Sequence, residues 1–136
     1  MQHALPSHAQ GHAARTVTRR LAWLAVGLAA ATLTVIQVSR HGSGALALAV
    51  TFAVAPYLTM LIGASRKLAR EQLAPSAVPF YNTAHRLWGP LLLLAAGAIW
   101  PGSAVVLAGG LAWLAHVGLD RGLGFGLRTP EGFQRG

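Results

Sequence analysis

Residues 21–38 run for 18 positions without a charged side chain. At 1.5 Å per helical residue that is about 27 Å, close to the hydrocarbon thickness of a bilayer. Three further apolar blocks follow at 44–64, 81–100 and 103–119. Hydrophobic residues make up 54% of the chain and charged residues 10%, against roughly 25% charged in soluble domains. The pattern predicts an all-α fold, an integral membrane bundle of four transmembrane helices. Residues 15–136 read as one membrane domain behind a polar, unstructured tail over residues 1–14. A secretory signal is the competing reading of the first block, since Arg15, Arg19 and Arg20 precede it. The blocks that follow argue against it, because they offer membrane segments rather than an exported domain.

The connections are short. Residues 39–43 join the first two blocks, and Pro56 should kink the second. The stretch 65–79, SRKLAREQLAPSAVP, should extend the second helix out of the membrane, with Leu68 and Leu73 at the lipid boundary, until Pro75 and Pro79 end it. Pro90 is a second kink site. Pro101-Gly102 should fold the third and fourth blocks into a tight antiparallel hairpin. Beyond them, a helix to about Arg121 should give way to an irregular strip on the inner surface. Gly118, Gly122 and Gly126, spaced by four, read as a ridge for close helix approach.

Charge sets the expected orientation. With four spans, one side collects Arg15, Arg19, Arg20, Arg66, Lys67, Arg70, Arg86, Arg121, Arg128 and Arg135, and the other only Arg40. Such a bias predicts a multi-pass protein of the cell inner (plasma) membrane with both termini cytoplasmic. The net charge of +8 would suggest nucleic acid in a soluble protein. Here the basic residues flank apolar blocks, so the expected partners are the bilayer and its anionic headgroups, with no nucleic acid. A homo-oligomer stays open.

No cysteine is present, and no Walker loop, HExxH or GxSxG motif occurs. Chemistry must therefore come from the polar ends of the last two blocks: Tyr81, Asn82, His85 and Arg86 on one, His116, Asp120 and Arg121 on the other. The hairpin brings all seven to one membrane face. His116 and Asp120, at i and i+4, share a helix face. With His85 they would make two imidazoles and a carboxylate, a ligand set for non-haem iron or zinc. The competing reading is a buried polar cluster that pins the hairpin. Ionisable groups at membrane depth are functional candidates by default.

Tyr81-Asn82 with His85 and Pro90, the run Trp113 to Arg121, and Leu123-Gly124-Phe125-Gly126-Leu127-Arg128 with Pro130 and Gly132-Phe133 resemble the DUF4260 family. That is a family of small bacterial integral membrane proteins of unknown function, and the resemblance covers most of residues 50–133. It implies a membrane location and a fold but no activity. The family typically has a Pro-Asp pair in its second span, where this chain has Pro56-Tyr57. It also usually continues past Gly-Phe into a Thr-His-Leu run. Both departures take potential ligands away. The expected function is a small integral membrane protein of structural, binding or accessory role. The alternative is a metal-dependent membrane enzyme or a small-solute or ion transporter using His85, His116 and Asp120.

Overall fold

The computed structural model describes residues 7–65 and 67–135, with side chains from residue 11 onward. The fold is all-helical, without a strand among the described residues. It comprises α1 (Ser7–Leu58), α2 (Val78–Ala84), α3 (Trp88–Ile99) and α4 (Ala104–Leu123), with single 3-10 turns at Thr59–Leu61 and Pro75–Ala77. Two helices, Gly11–Leu61 and Ala104–Leu123, are long and apolar enough to cross a membrane.

α1 is two helical arms that meet at Gly42. Its φ of 72° and ψ of −149° lie in a region open essentially to glycine alone. The contacts on α4 show the chain turning back there. Gly27 on the first arm lies against Gly118 and Leu119, and Ala53 on the second is hydrogen-bonded to His116. On a straight helix those two positions would stand about 39 Å apart. The first arm therefore runs antiparallel to α4 and the second parallel to it. The expected connection at 39–43 contracts to one residue.

α4 is the hub. Its buried face holds Ala108, Gly109, Gly110, Ala112, Ala115, Val117, Gly118 and Gly122, and these small residues admit a neighbour on three sides. Gly109 receives Phe52 of the second arm, Gly110 receives Leu94 of α3, and Gly122 receives Leu24 of the first arm. At Gly118 the approach is backbone to backbone, since a Cβ there would stand 2.9 Å from the Gly27 Cα. The expected small-residue ridge is thus real at Gly118 and Gly122. Gly126 lies beyond the helix.

The α3–α4 hairpin forms as expected across Pro101-Gly102, where Ser103 Oγ donates to the carbonyls of Gly97 and Trp100. α4 continues to Leu123, two residues past the expected end at Arg121. Gly124 then takes a left-handed φ of 96°, and the Phe125 and Gly124 amides bond the carbonyls of Asp120 (2.8 Å) and Arg121 (3.2 Å). This Schellman arrangement satisfies the last-turn carbonyls and turns the chain out of the helix.

Several expectations need correction. The tail expected over residues 1–14 is helical from Ser7, and residues 1–6 lie outside the described ones, as does Arg66. The second block stops being α-helical at Leu58, two residues past Pro56, rather than reaching 64. The described residues of 65–74 are irregular instead of a helical extension. Leu73 does not face a lipid boundary: it is buried with Ala74, Ala77, Val78 and Tyr81, and Leu68 packs on this cluster. The block 81–100 is not one helix. Pro90 has no amide to continue a helix and its ring crowds the carbonyl four residues back, so the chain breaks over residues 85–87. Pro90 then falls in the first turn of α3, where proline is tolerated.

Candidate metal centre

The helix break shapes the site. It leaves the carbonyls of Ala84 and His85 without helical partners, and each finds a side chain, while Tyr81 O, bonded by the His85 amide at 3.0 Å, takes a second donor. His85 turns back so that its Nδ1 donates to Tyr81 O at 2.8 Å. Trp113 Nε1 donates to Ala84 O at 2.7 Å. Arg121 Nη2 donates to His85 O at 3.3 Å, while its guanidinium lies 4.7 Å from the Trp23 ring centroid. Stranded carbonyls in an apolar layer cost several kcal/mol each, and that accounts for the polar side chains gathered here.

His116 is fixed in the same way from another helix. Its Nδ1 donates to Ala53 O at 2.9 Å, three residues before Pro56. A carbonyl oxygen only accepts, so both Nδ1 atoms carry hydrogen, and in the neutral form of each ring the Nε2 lone pair turns inward. They stand 3.1 Å apart. Asp120 Oδ2 lies 3.2 Å from His85 Nε2 and 3.4 Å from His116 Nε2. All three side chains are buried (His85 4%, His116 7% and Asp120 8% exposed). Two aromatic rings flank the imidazoles. Tyr81 stacks on His85 with centroids 3.9 Å apart, and Tyr57 meets His116 edge-on at 4.3 Å.

Of the seven sequence candidates, His85, His116 and Asp120 converge. Tyr81 supports His85 by its ring and its carbonyl, and Arg121 holds the His85 carbonyl from outside. Arg86 is exposed and takes no part. Asn82 points to the C-terminal segment instead. Its Oδ1 accepts from Arg128 N at 2.7 Å and its Nδ2 donates to Arg128 O at 3.0 Å. Arg128 is itself buried, donating to Glu71 O at 3.0 Å, with its guanidinium 5.5 Å from the Tyr81 ring centroid. A bridge between Arg128 and Gln134 closes a small C-terminal turn, and Leu73 N bonds Gly132 O at 2.9 Å.

Sequence reasoning missed three contributors. Tyr57, edge-on to His116, was not among the seven candidates. The Ala53 carbonyl carries no sequence signal of its own, and only the nearby Pro56 hinted at a disturbed helix. Arg128 counted as a surface charge, and its burial depends on a 46-residue separation from Asn82.

These features define an all-helical bundle with a buried His-His-Asp cluster at one end. The chain belongs to the family described as Domain of unknown function (DUF4260), which it matches over residues 21–136. No curated protein and no solved structure matches it.

Proposed function

We propose that this is an integral membrane protein that binds one divalent transition-metal ion through His85 Nε2, His116 Nε2 and Asp120 Oδ2. The observation that carries the reading is the direction of the lone pairs. With both Nδ1 hydrogens committed to carbonyls, three acceptor atoms face one point at separations of 3.1, 3.2 and 3.4 Å. Ligands held about 2.0–2.1 Å from a first-row metal stand roughly 3.0–3.4 Å from one another. Carbonyl bonds on the far nitrogen of each imidazole are the usual outer support of a metal-bound histidine. Two histidines and one carboxylate suit Zn²⁺ or Fe²⁺ and leave coordination positions for an exogenous ligand.

The membrane reading rests on what the helices expose. A core helix in water is mostly buried, yet only 11% of the apolar window in Gly11–Leu61 is buried. Leu28, Val35, Val50 and Leu92 are each more than half exposed. With both arms of α1 and α4 as spans, and with α2 and the break completing the crossing of which the 12-residue α3 covers about 18 Å, four crossings follow. Gly42 and Pro101-Gly102 then lie at one face and the cluster at the other. The distribution of the basic residues favours the cluster face, with both termini, on the cytoplasmic side of the inner membrane.

The test is metal content of the detergent-purified protein after dialysis, with Zn²⁺ and Fe²⁺ titrations of the stripped protein. One ion per chain is expected, lost in His85→Ala, His116→Ala and Asp120→Ala. A wild type that takes up neither ion, with melting unaffected by chelator, would leave a proton-held structural cluster instead.

A further inference from the structure

Where the first arm of α1 passes the C-terminal strip, it opens a groove of about 1030 Å³. Arg15, Arg19 and Arg20 enter from the arm, Arg121 from α4 and Arg135 from the chain end. Arg15 and Arg19 are one helical turn apart, and Trp23 continues the same face. No carboxylate lines the groove, and the chain has only three. Asp120 is engaged by the two histidines, Glu71 is paired with Arg70, and Glu131 stands in the C-terminal turn. Five guanidinium groups therefore converge with no internal counter-ion among the described residues.

Apart from His12, Thr16 and Gln134, the rest of the lining is apolar side chains and glycine. Leu123 is 65% and Phe125 48% exposed, beside Trp23 and Leu127. The groove thus offers charge and exposed hydrocarbon together. All five basic groups are arginine, whose planar fork matches phosphate oxygens in a bidentate fashion. On the membrane reading given above, the groove also lies at headgroup level, because Arg20 directly precedes the apolar stretch that starts at Leu21.

We infer that this groove is a binding site for one anionic glycerophospholipid. Its phosphate sits among Arg15, Arg19, Arg20, Arg121 and Arg135, and its acyl chains lie along the apolar face below Arg20. The shared chemistry is a phosphate anion. The neighbouring hydrocarbon assigns it to a lipid rather than to free phosphate.

The test uses full-length protein, delipidated in detergent, with phosphatidylglycerol, phosphatidylcholine or inorganic phosphate added. Bound lipid is counted by native mass spectrometry and followed by melting temperature. Phosphatidylglycerol should be retained at about one per chain and should raise the melting temperature. Phosphatidylcholine and inorganic phosphate should leave it unchanged. Arg19→Gln with Arg20→Gln, both exposed and remote from the metal ligands, should weaken phosphatidylglycerol binding roughly 10–30-fold. Metal content and melting without lipid report that this variant is folded. Equal retention of both lipids, or an unchanged affinity in the variant, would overturn the inference. Displacement of phosphatidylglycerol by millimolar inorganic phosphate would overturn the lipid assignment. Failure of the membrane reading is seen separately, as protein that fractionates in water without detergent.

Discussion

His85 and His116 present their Nε2 atoms to each other across 3.1 Å, although 31 residues separate them in the chain. Neither ring is free to turn away. Rotating either one would strand its Nδ1 hydrogen and leave Tyr81 O or Ala53 O without that partner. Three backbone segments therefore set the spacing: the α2 end, the second arm of α1, and α4.

This predicts strong coupling between the ligands. Asp120→Ala removes the one carboxylate facing two imidazoles. Loss of one partner from a buried charged cluster typically costs about 3–5 kcal/mol, less where water enters. His116→Ala should cost a similar amount, and the double variant should fall well short of the sum. Melting of wild type, both singles and the double, with and without chelator, measures this. Additive losses would mean the two residues do not share one cluster.

A second prediction concerns the contact of Gly118 with Gly27. A Cβ at 118 would stand 2.9 Å from both the Cα and the N of Gly27. Gly118→Val should force the first arm off α4 and destabilise by roughly 1–3 kcal/mol, the usual range for overpacking. Gly11→Val, with nothing within 4 Å of its Cβ position, is the control and should leave the melting temperature unmoved. Equal melting of the two variants would argue against the backbone contact.

The reach of the sequence can be judged from these same residues. His116 and Asp120 were legible as a pair because helical spacing alone puts i and i+4 together. Their meeting with His85 was legible because a two-residue turn leaves the third and fourth blocks little freedom. The break at 85–87 was not. Pro90 signalled a disturbed helix, but whether a proline kinks a helix or starts a new one depends on whether tertiary partners take the stranded carbonyls. Here Trp113 and Arg121 do so, from 29 and 36 residues away. The fold-back at Gly42 was legible as a connection but not as a single residue, since its ψ is set by packing. The fate of 65–79 was misjudged for a related reason. Its leucines look amphipathic on a helix, yet Leu73 is buried with Ala77, Val78 and Tyr81, and its amide is held by the Gly132 carbonyl, 59 positions later.

A third prediction addresses the C-terminal segment. Asn82 holds both the N–H and the C=O of Arg128, as a neighbouring strand would. Asn82→Ala should cost about 1–3 kcal/mol locally. Amide exchange across 127–135 should quicken while metal content stays at the wild-type level. Unchanged exchange would mean that Leu73 and Gly132 alone hold the segment.

A fourth prediction tests the path of α1. A Cβ at Gly44 lies 3.7 Å from the Val105 methyl carbons, so cysteines placed at 44 and 105 should form a disulfide in the membrane. Reporters fused at 42 and 102 should lie on one side, and those at 72 and 136 on the other. A disulfide that never forms, or reporters at 42 and 102 on opposite sides, would sink the reversal at Gly42.

The hub position of α4 has a consequence for biosynthesis. α4 is the last of the four helices to leave the ribosome, yet the Gly27 face of the first arm and the Ala45–Ala49 face of the second both close on it. Until residue 123 has emerged, those faces have no protein surface to bury against. Formation of the first hairpin and completion of the fold are therefore separate events. A nascent chain arrested before Ala104 should expose engineered cysteines at Ala30 and Ala45, both buried in the finished fold, to lipid-soluble thiol reagents. Release of the full chain should protect both. The three ligands, one at the break and two on α4, acquire their common centre and the Ala53 carbonyl that orients His116 only at that final step.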